Sequence, residues 1–202
     1  LGLSGTVAAQ QAEAILDKAS QKYKESNGIS AVFNLQIRSK ANQKAEVIEG
    51  SIQMKGDKFT LKTPQSYTWY DGPTQWVYME QTEEVNVSKP EGDELQFTNP
   101  VVLLNTYKKG FTAKYKGEST NQSGKKVFDI TLVPKNRKSD ISKIDLRIDK
   151  ITNFPASITV TNKNGVSNTI LISKLVTGVN QSASVFVFDQ RKFPNAEIID
   201  LR

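Results

Sequence analysis

Alternation with a period of two runs through most of this chain, and it limits the fold more than any single motif does. Ile29, Ala31, Phe33, Leu35 and Ile37 alternate with Ser30, Val32, Asn34, Gln36 and Arg38. Successive side chains of a strand point to opposite faces, so this run predicts one apolar face and one mostly polar face. Ile52 and Met54 continue the pattern on the next strand, and Phe59 and Leu61 on a third. The stretch 67–90, YTWYDGPTQWVYMEQTEEVNVSKP, reads as two hairpins in a row. It turns first at Asp71-Gly72, because Gly72 can take φ > 0 at little cost. Phe128/Ile130/Leu132 and Ile144/Leu146/Ile148 alternate in the same way, and Asn164-Gly165 marks another hairpin turn. The closing stretch 185–202 is read with the strands.

Two segments break the pattern. Residues 10–25 place Ala12, Ile15, Ala19 and Tyr23 at helical spacing, with Leu16 beside them, and Asn27-Gly28 supplies the stop. Residues 99–108 read as a short helix, with Asn99 as cap and Pro100 at the first position. No repeat or linker divides the chain. The expected fold is mainly β (α+β): a single curved antiparallel sheet forming an open half-barrel of about 10–11 strands, covered by a lid of short α-helices. The two helices are too small to fill a sheet this wide, so an apolar hollow is expected between lid and sheet.

The composition removes most enzyme chemistry. The chain has no Cys and no His. Thiol nucleophiles, Ser-His-Asp hydrolysis and Cys- or His-ligated zinc are therefore excluded. Ser123-Gly-Lys-Lys126 matches S-x-x-K by letter, but it falls on a hairpin turn, where the lysine is not held one helical turn from the serine. Glu80, Glu83 and Glu84 are turn carboxylates without a further ligand in view. No catalytic residue, metal site or cofactor is expected. The net charge of +6 comes mainly from scattered lysines, with Arg only at positions 38, 137, 147, 191 and 202. Scatter and scarcity of Arg argue against a nucleic-acid interface and leave weak attraction to an anionic envelope surface.

Leu1–Ala9 is small and apolar, and Val7-Ala8-Ala9 carries the residues a signal peptidase prefers. Residues 1–9 are read as a signal-peptide remnant or a disordered terminus, and 10–202 as the single folded domain. An exported protein is the corresponding expectation.

Parity along the strands nominates Phe33, Leu35, Ile52, Met54, Phe59, Leu61, Trp69, Trp76 and Tyr78 for the wall of the hollow. Ile15, Leu16, Leu103 and Leu104 are nominated for the lid.

Gly28-Ile-Ser-Ala-Val-Phe33 after the first helix, Asp71-Gly-x-x-x-Trp76-x-Tyr78, Asn99-Pro100-Val-Val-Leu-Leu104 and Phe186-x-Phe188-x-x-x-x-Phe193-Pro194 occur in one order across the chain. In these pieces and their spacing the chain resembles the periplasmic lipoprotein carrier family LolA. The resemblance implies an open half-barrel lidded by helices. It implies a periplasmic carrier that shields the acyl chains of lipoproteins, taking them from an inner-membrane ABC transporter to an outer-membrane acceptor, as a monomer and without covalent chemistry. The alternative with the same fold is a lipid- or glycolipid-binding or envelope-sensing module. One departure stands out. The resemblance implies an Arg on an early strand that ties the lid shut, yet Gly56-Asp57 occupies that place.

Overall fold

A computed structural model describes residues 3–40, 44–91 and 100–202. The sequence also reads as loop over Glu91-Gly-Asp-Glu94 and as a polar turn over Ser39–Lys44; the first lies outside these residues beyond Glu91, as do Asn99 and the centre of the second. Helix α1 (Leu3–Glu25) is followed by β1 (Ile29–Arg38), β2 (Glu46–Lys55), β3 (Lys58–Lys62), β4 (Ser66–Tyr70), β5 (Gln75–Met79) and β6 (Glu84–Ser88). Helix α2 (Pro100–Gly110) leads into β7 (Phe111–Thr120), β8 (Lys126–Pro134), β9 (Ile141–Asp149), β10 (Pro155–Asn162) and β11 (Ser167–Thr177). Two 3-10 turns, Ala183–Phe186 and Gln190–Lys192, precede β12 (Glu197–Asp200).

All twelve strands form one open, curved sheet in the order β12-β6-β5-β4-β3-β2-β1-β11-β10-β9-β8-β7. Short hairpins account for the antiparallel neighbours. One antiparallel pair is non-local: β1 joins β11 along almost its whole length, with Phe33 opposite Ile172 and Leu35 opposite Ile170. That pairing brings the two halves of the meander together at the centre of the sheet. The expectation of a wholly antiparallel sheet of 10–11 strands needs a correction, because β12 runs parallel to β6. A parallel neighbour requires a crossover, and residues 178–196 supply one. They run as irregular chain and 3-10 turns, not as the continued strand read from the sequence.

The first helix begins at Leu3, seven residues before the expected start, so residues 3–9 continue it without a break. Its turns at Ala12, Leu16 and Ala19 are fully buried against α2 and β7–β9. Alanine at two of these positions lets the helix lie close to the sheet. Asn27 (φ 51) and Gly28 (φ 95) then take the left-handed conformation that ends the helix and turns the chain into β1. The second helix matches expectation closely at Pro100. Its Leu103, Leu104 and Tyr107 join the same core, and exposed Lys108 meets Asp17 of α1 at 3.2 Å.

Candidate functional site

The inner face of the sheet carries two apolar clusters. One lies beneath the helices on β7–β9. The other gathers Tyr23 of α1 with residues of β1–β4 and Phe154. Between them lies a cavity of about 840 Å³. The sheet wall comes from the middle strands, where β1 and β2 meet β9–β11. Gly50 shapes this wall. It sits opposite Phe33, and a Cβ there would lie 2.4 Å from the Phe33 ring and 2.5 Å from the Lys62 carbonyl. A glycine thus lets the Phe33 ring lie down across β2.

One end of the cavity is polar. Thr63, Asn136, Ser139, Asp140, Asn162 and Asn168 line it where β3, the β8–β9 loop and the β10–β11 hairpin come together. At the other end Tyr23 closes the space. Its hydroxyl donates to the Gly56 carbonyl at 2.8 Å, tying the last turn of α1 to the β2–β3 turn. Burial pushes the Tyr23 phenol above its ordinary pKa of 10.0, and Asp57 adds to the shift. This tie lies at the place where the resemblance implies an arginine contact. A buried tyrosine hydroxyl and a backbone carbonyl stand there.

Of the nine residues nominated for the wall, Phe33, Leu35, Ile52, Met54 and Leu61 line the cavity. Phe59 points to the same side but is fully buried in the packing behind it. Trp69, Trp76 and Tyr78 are on the opposite face. The register shows why. Phe59 pairs with Tyr70, and Thr60 with Trp69, so Tyr70 faces inward and Trp69 outward. Trp69 pairs with Trp76, Trp76 with Val87, and Tyr78 with Val85, so all of these share the outer face. They pack under the C-terminal crossover. Trp69 meets the rings of Phe188 and Phe193 at 5.4 Å each, and Tyr78 meets Phe193 at 4.7 Å. The aromatic meander is therefore a second core, covered by the chain's own tail.

Of the lid residues, Leu103 and Leu104 line the cavity. Leu16 is fully buried beneath the helices, and Ile15 packs half-buried against the same cluster. Both anchor the lid without lining the space. The residues missed are those of the second half of the meander, above all Ile158, Val160, Ile170 and Ile172, together with Tyr23 and Phe154. Alternation marks the four strand residues as clearly as it marks Phe33 and Leu35. Only the β1–β11 pairing puts both sets on one wall.

Among the described residues no group of three or more Asp and Glu side chains could hold a metal ion. No helix among them is long and apolar enough to cross a membrane. The arrangement can enclose apolar matter.

Known proteins agree with this geometry. The family model described as outer membrane lipoprotein carrier protein LolA matches residues 4–165. An outer-membrane lipoprotein carrier protein of Glaesserella parasuis is 29% identical over 191 residues, covering 93% of this chain and 82% of its own. One from Actinobacillus pleuropneumoniae is 28% identical over 177 residues, covering 86% and 78%. Among solved structures, an uncharacterized conserved protein of Thermus thermophilus superposes with a TM-score of 0.65 at 13% identity, covering 94% of this chain and 99% of that one. It shares the fold. With four-fifths of its length matched by the family model, this chain belongs to the LolA family of outer-membrane lipoprotein carrier proteins.

Proposed function

We propose that this protein is a periplasmic carrier that shields lipoprotein acyl chains in the hollow between sheet and helices and ferries them from the inner to the outer membrane. The apolar cavity of about 840 Å³ carries this reading. A methylene takes up about 30 Å³, close to the share of one water in the liquid, so a 16-carbon chain needs roughly 480 Å³. The hollow is therefore roomy enough for such a chain. Full burial of one chain is worth roughly 12 kcal/mol at about 0.8 kcal/mol per methylene. Partial cover lowers that figure and keeps release possible. An inner-membrane ABC transporter as donor and an outer-membrane acceptor fit the family, with the protein working as a monomer.

The same volume supports a second reading. A free lipid or glycolipid would also find room in an apolar hollow of this kind, which suits a lipid-binding or envelope-sensing module. Native mass spectrometry of the protein from its own periplasm, with lipid extraction of bound matter, separates the two. A one-to-one complex with an acylated lipoprotein is the expected result. A bound free lipid that stays with the protein in the presence of acceptor membranes favours the module.

A further inference from the structure

We propose that the polar mouth of the hollow is a docking surface for an anionic bilayer, so that acyl chains cross between membrane and carrier at that end. The inference rests on the acyl-binding reading of the cavity. The chain just after β1, the β8–β9 loop and the β10–β11 hairpin come together at this end. They carry Lys40, Lys135, Arg137, Lys138 and Lys163, all exposed. None of the five is in an ion pair among the described residues.

Their placement at the mouth follows from contacts. Asn136, Ser139 and Asp140, which line the cavity, are interleaved with Lys135, Arg137 and Lys138 on one loop. The Lys163 amine donates to the Arg137 carbonyl, and its backbone N–H to the Asp140 carbonyl at 2.8 Å. Lys40 lies along the β10–β11 turn, with its Cε 2.7 Å from where a Cβ on Gly165 would stand. The Lys135 amine reaches the Lys108 carbonyl at the end of α2, at 2.7 Å. Asp140 is the single carboxylate of the set that lines the cavity. A cluster of this size is what anionic lipid surfaces attract, within about a Debye length of 8 Å at physiological salt. The cations surround the polar end of an apolar hollow, so the surface that attracts the protein would also face the entrance for the chain.

Vesicle co-sedimentation tests this. The probes are vesicles of phosphatidylcholine alone and vesicles with phosphatidylglycerol at roughly one part in four. A rim variant carries Lys40→Glu, Arg137→Glu, Lys138→Glu and Lys163→Glu. A control of the same net charge carries Lys24→Glu, Lys58→Glu, Lys126→Glu and Lys174→Glu, away from the mouth. An uncharged fluorescent monoacylglycerol reports on the hollow separately. The wild type is expected to bind the anionic vesicles only and to be released by salt. The rim variant should bind about tenfold or more weakly, and the control within about twofold of wild type. Equal loss in both variants, or no loss in the rim variant, overturns the proposal. A wild type that takes up the monoacylglycerol but ignores anionic vesicles overturns it while the acyl-binding reading stands. Failure with both probes sinks both.

Discussion

The Tyr23 hydroxyl donates to the Gly56 carbonyl at 2.8 Å, and this bond fastens the end of α1 to the β2–β3 turn across the closed end of the hollow. Thirty-three residues separate the partners. Tyr23→Phe keeps the ring and its packing and removes only the hydroxyl, leaving the Gly56 carbonyl to water at an exposed turn. The expected cost is about 0.5–1.5 kcal/mol in urea unfolding. Faster amide exchange in the last turn of α1 should accompany it. Unchanged stability with unchanged exchange would show that the bond does not fasten the helix.

Tyr107 on α2 gives the opposite expectation. Its ring is buried, and its hydroxyl has no hydrogen-bond partner among the described residues. Tyr107→Phe removes an unsatisfied polar atom, so stability should stay level or rise by about 1 kcal/mol. A loss as large as that of Tyr23→Phe would reveal a partner for this hydroxyl.

Both phenols are raised above 10.0, first by burial, then by Asp57 for Tyr23 and by Asp17 and Glu13 for Tyr107. The folded state holds these protons more tightly than the unfolded chain does. Stability from this source is complete below pH 10 and falls as the pH rises past it, because the unfolded state then ionises first. Urea midpoints measured upward from about pH 9.5 should decline, and less steeply in either Phe variant. A flat profile in the wild type would contradict the burial of both groups.

The two faces of the sheet should respond differently to substitution. Leu35 lines the hollow and is only half-buried, so Leu35→Glu should weaken acyl binding by about tenfold or more with modest loss of stability. Trp69 lies on the outer face, 4% exposed, under Phe188 and Phe193. Trp69→Ala should cost about 3–5 kcal/mol and leave the affinity of the folded protein unchanged. Fluorescent acyl titration beside urea melts checks both, and the reverse pattern would put the binding wall on the wrong face.

Gly50 is expected to resist even a methyl group. Gly50→Ala places a Cβ 2.4 Å from the Phe33 ring and 2.5 Å from a backbone carbonyl. The ring can swing into the hollow but the carbonyl cannot, so a loss of about 1–3 kcal/mol is expected, with weaker acyl binding. A neutral substitution would mean that β2 and β3 separate easily here.

Strand alternation and turn chemistry made the curved meander, both helices and five of the wall residues legible before any coordinates. Facing was legible within a strand, as for Phe33 and Leu35, because period two is local. It was not legible between strands. Leu61 and Trp69 share odd numbering, yet the β3–β4 register pairs odd with even and sends them to opposite faces. Ile170 and Ile172 were visible as strand residues, but their place beside Phe33 depends on β1 meeting β11 from the other end of the chain. The tail was misread because Phe186 and Phe188 alternate like strand residues. The 3-10 turn that ends at Phe186 lies instead against β3 and β4, while Phe188 and Phe193 cover Trp69 and Tyr78. No local pattern announces such a partner.

The most direct test of the carrier account is photo-crosslinking with a fatty acid that bears a diazirine at its methyl end, followed by peptide mapping. The account predicts label on β1, β2, β10 and β11 at positions such as Leu35, Ile52, Ile158 and Ile172, saturable and displaced by unlabelled acyl chains. Label confined to the outer face around Trp76 and Phe193, or none that saturates, would contradict the hollow as the acyl site.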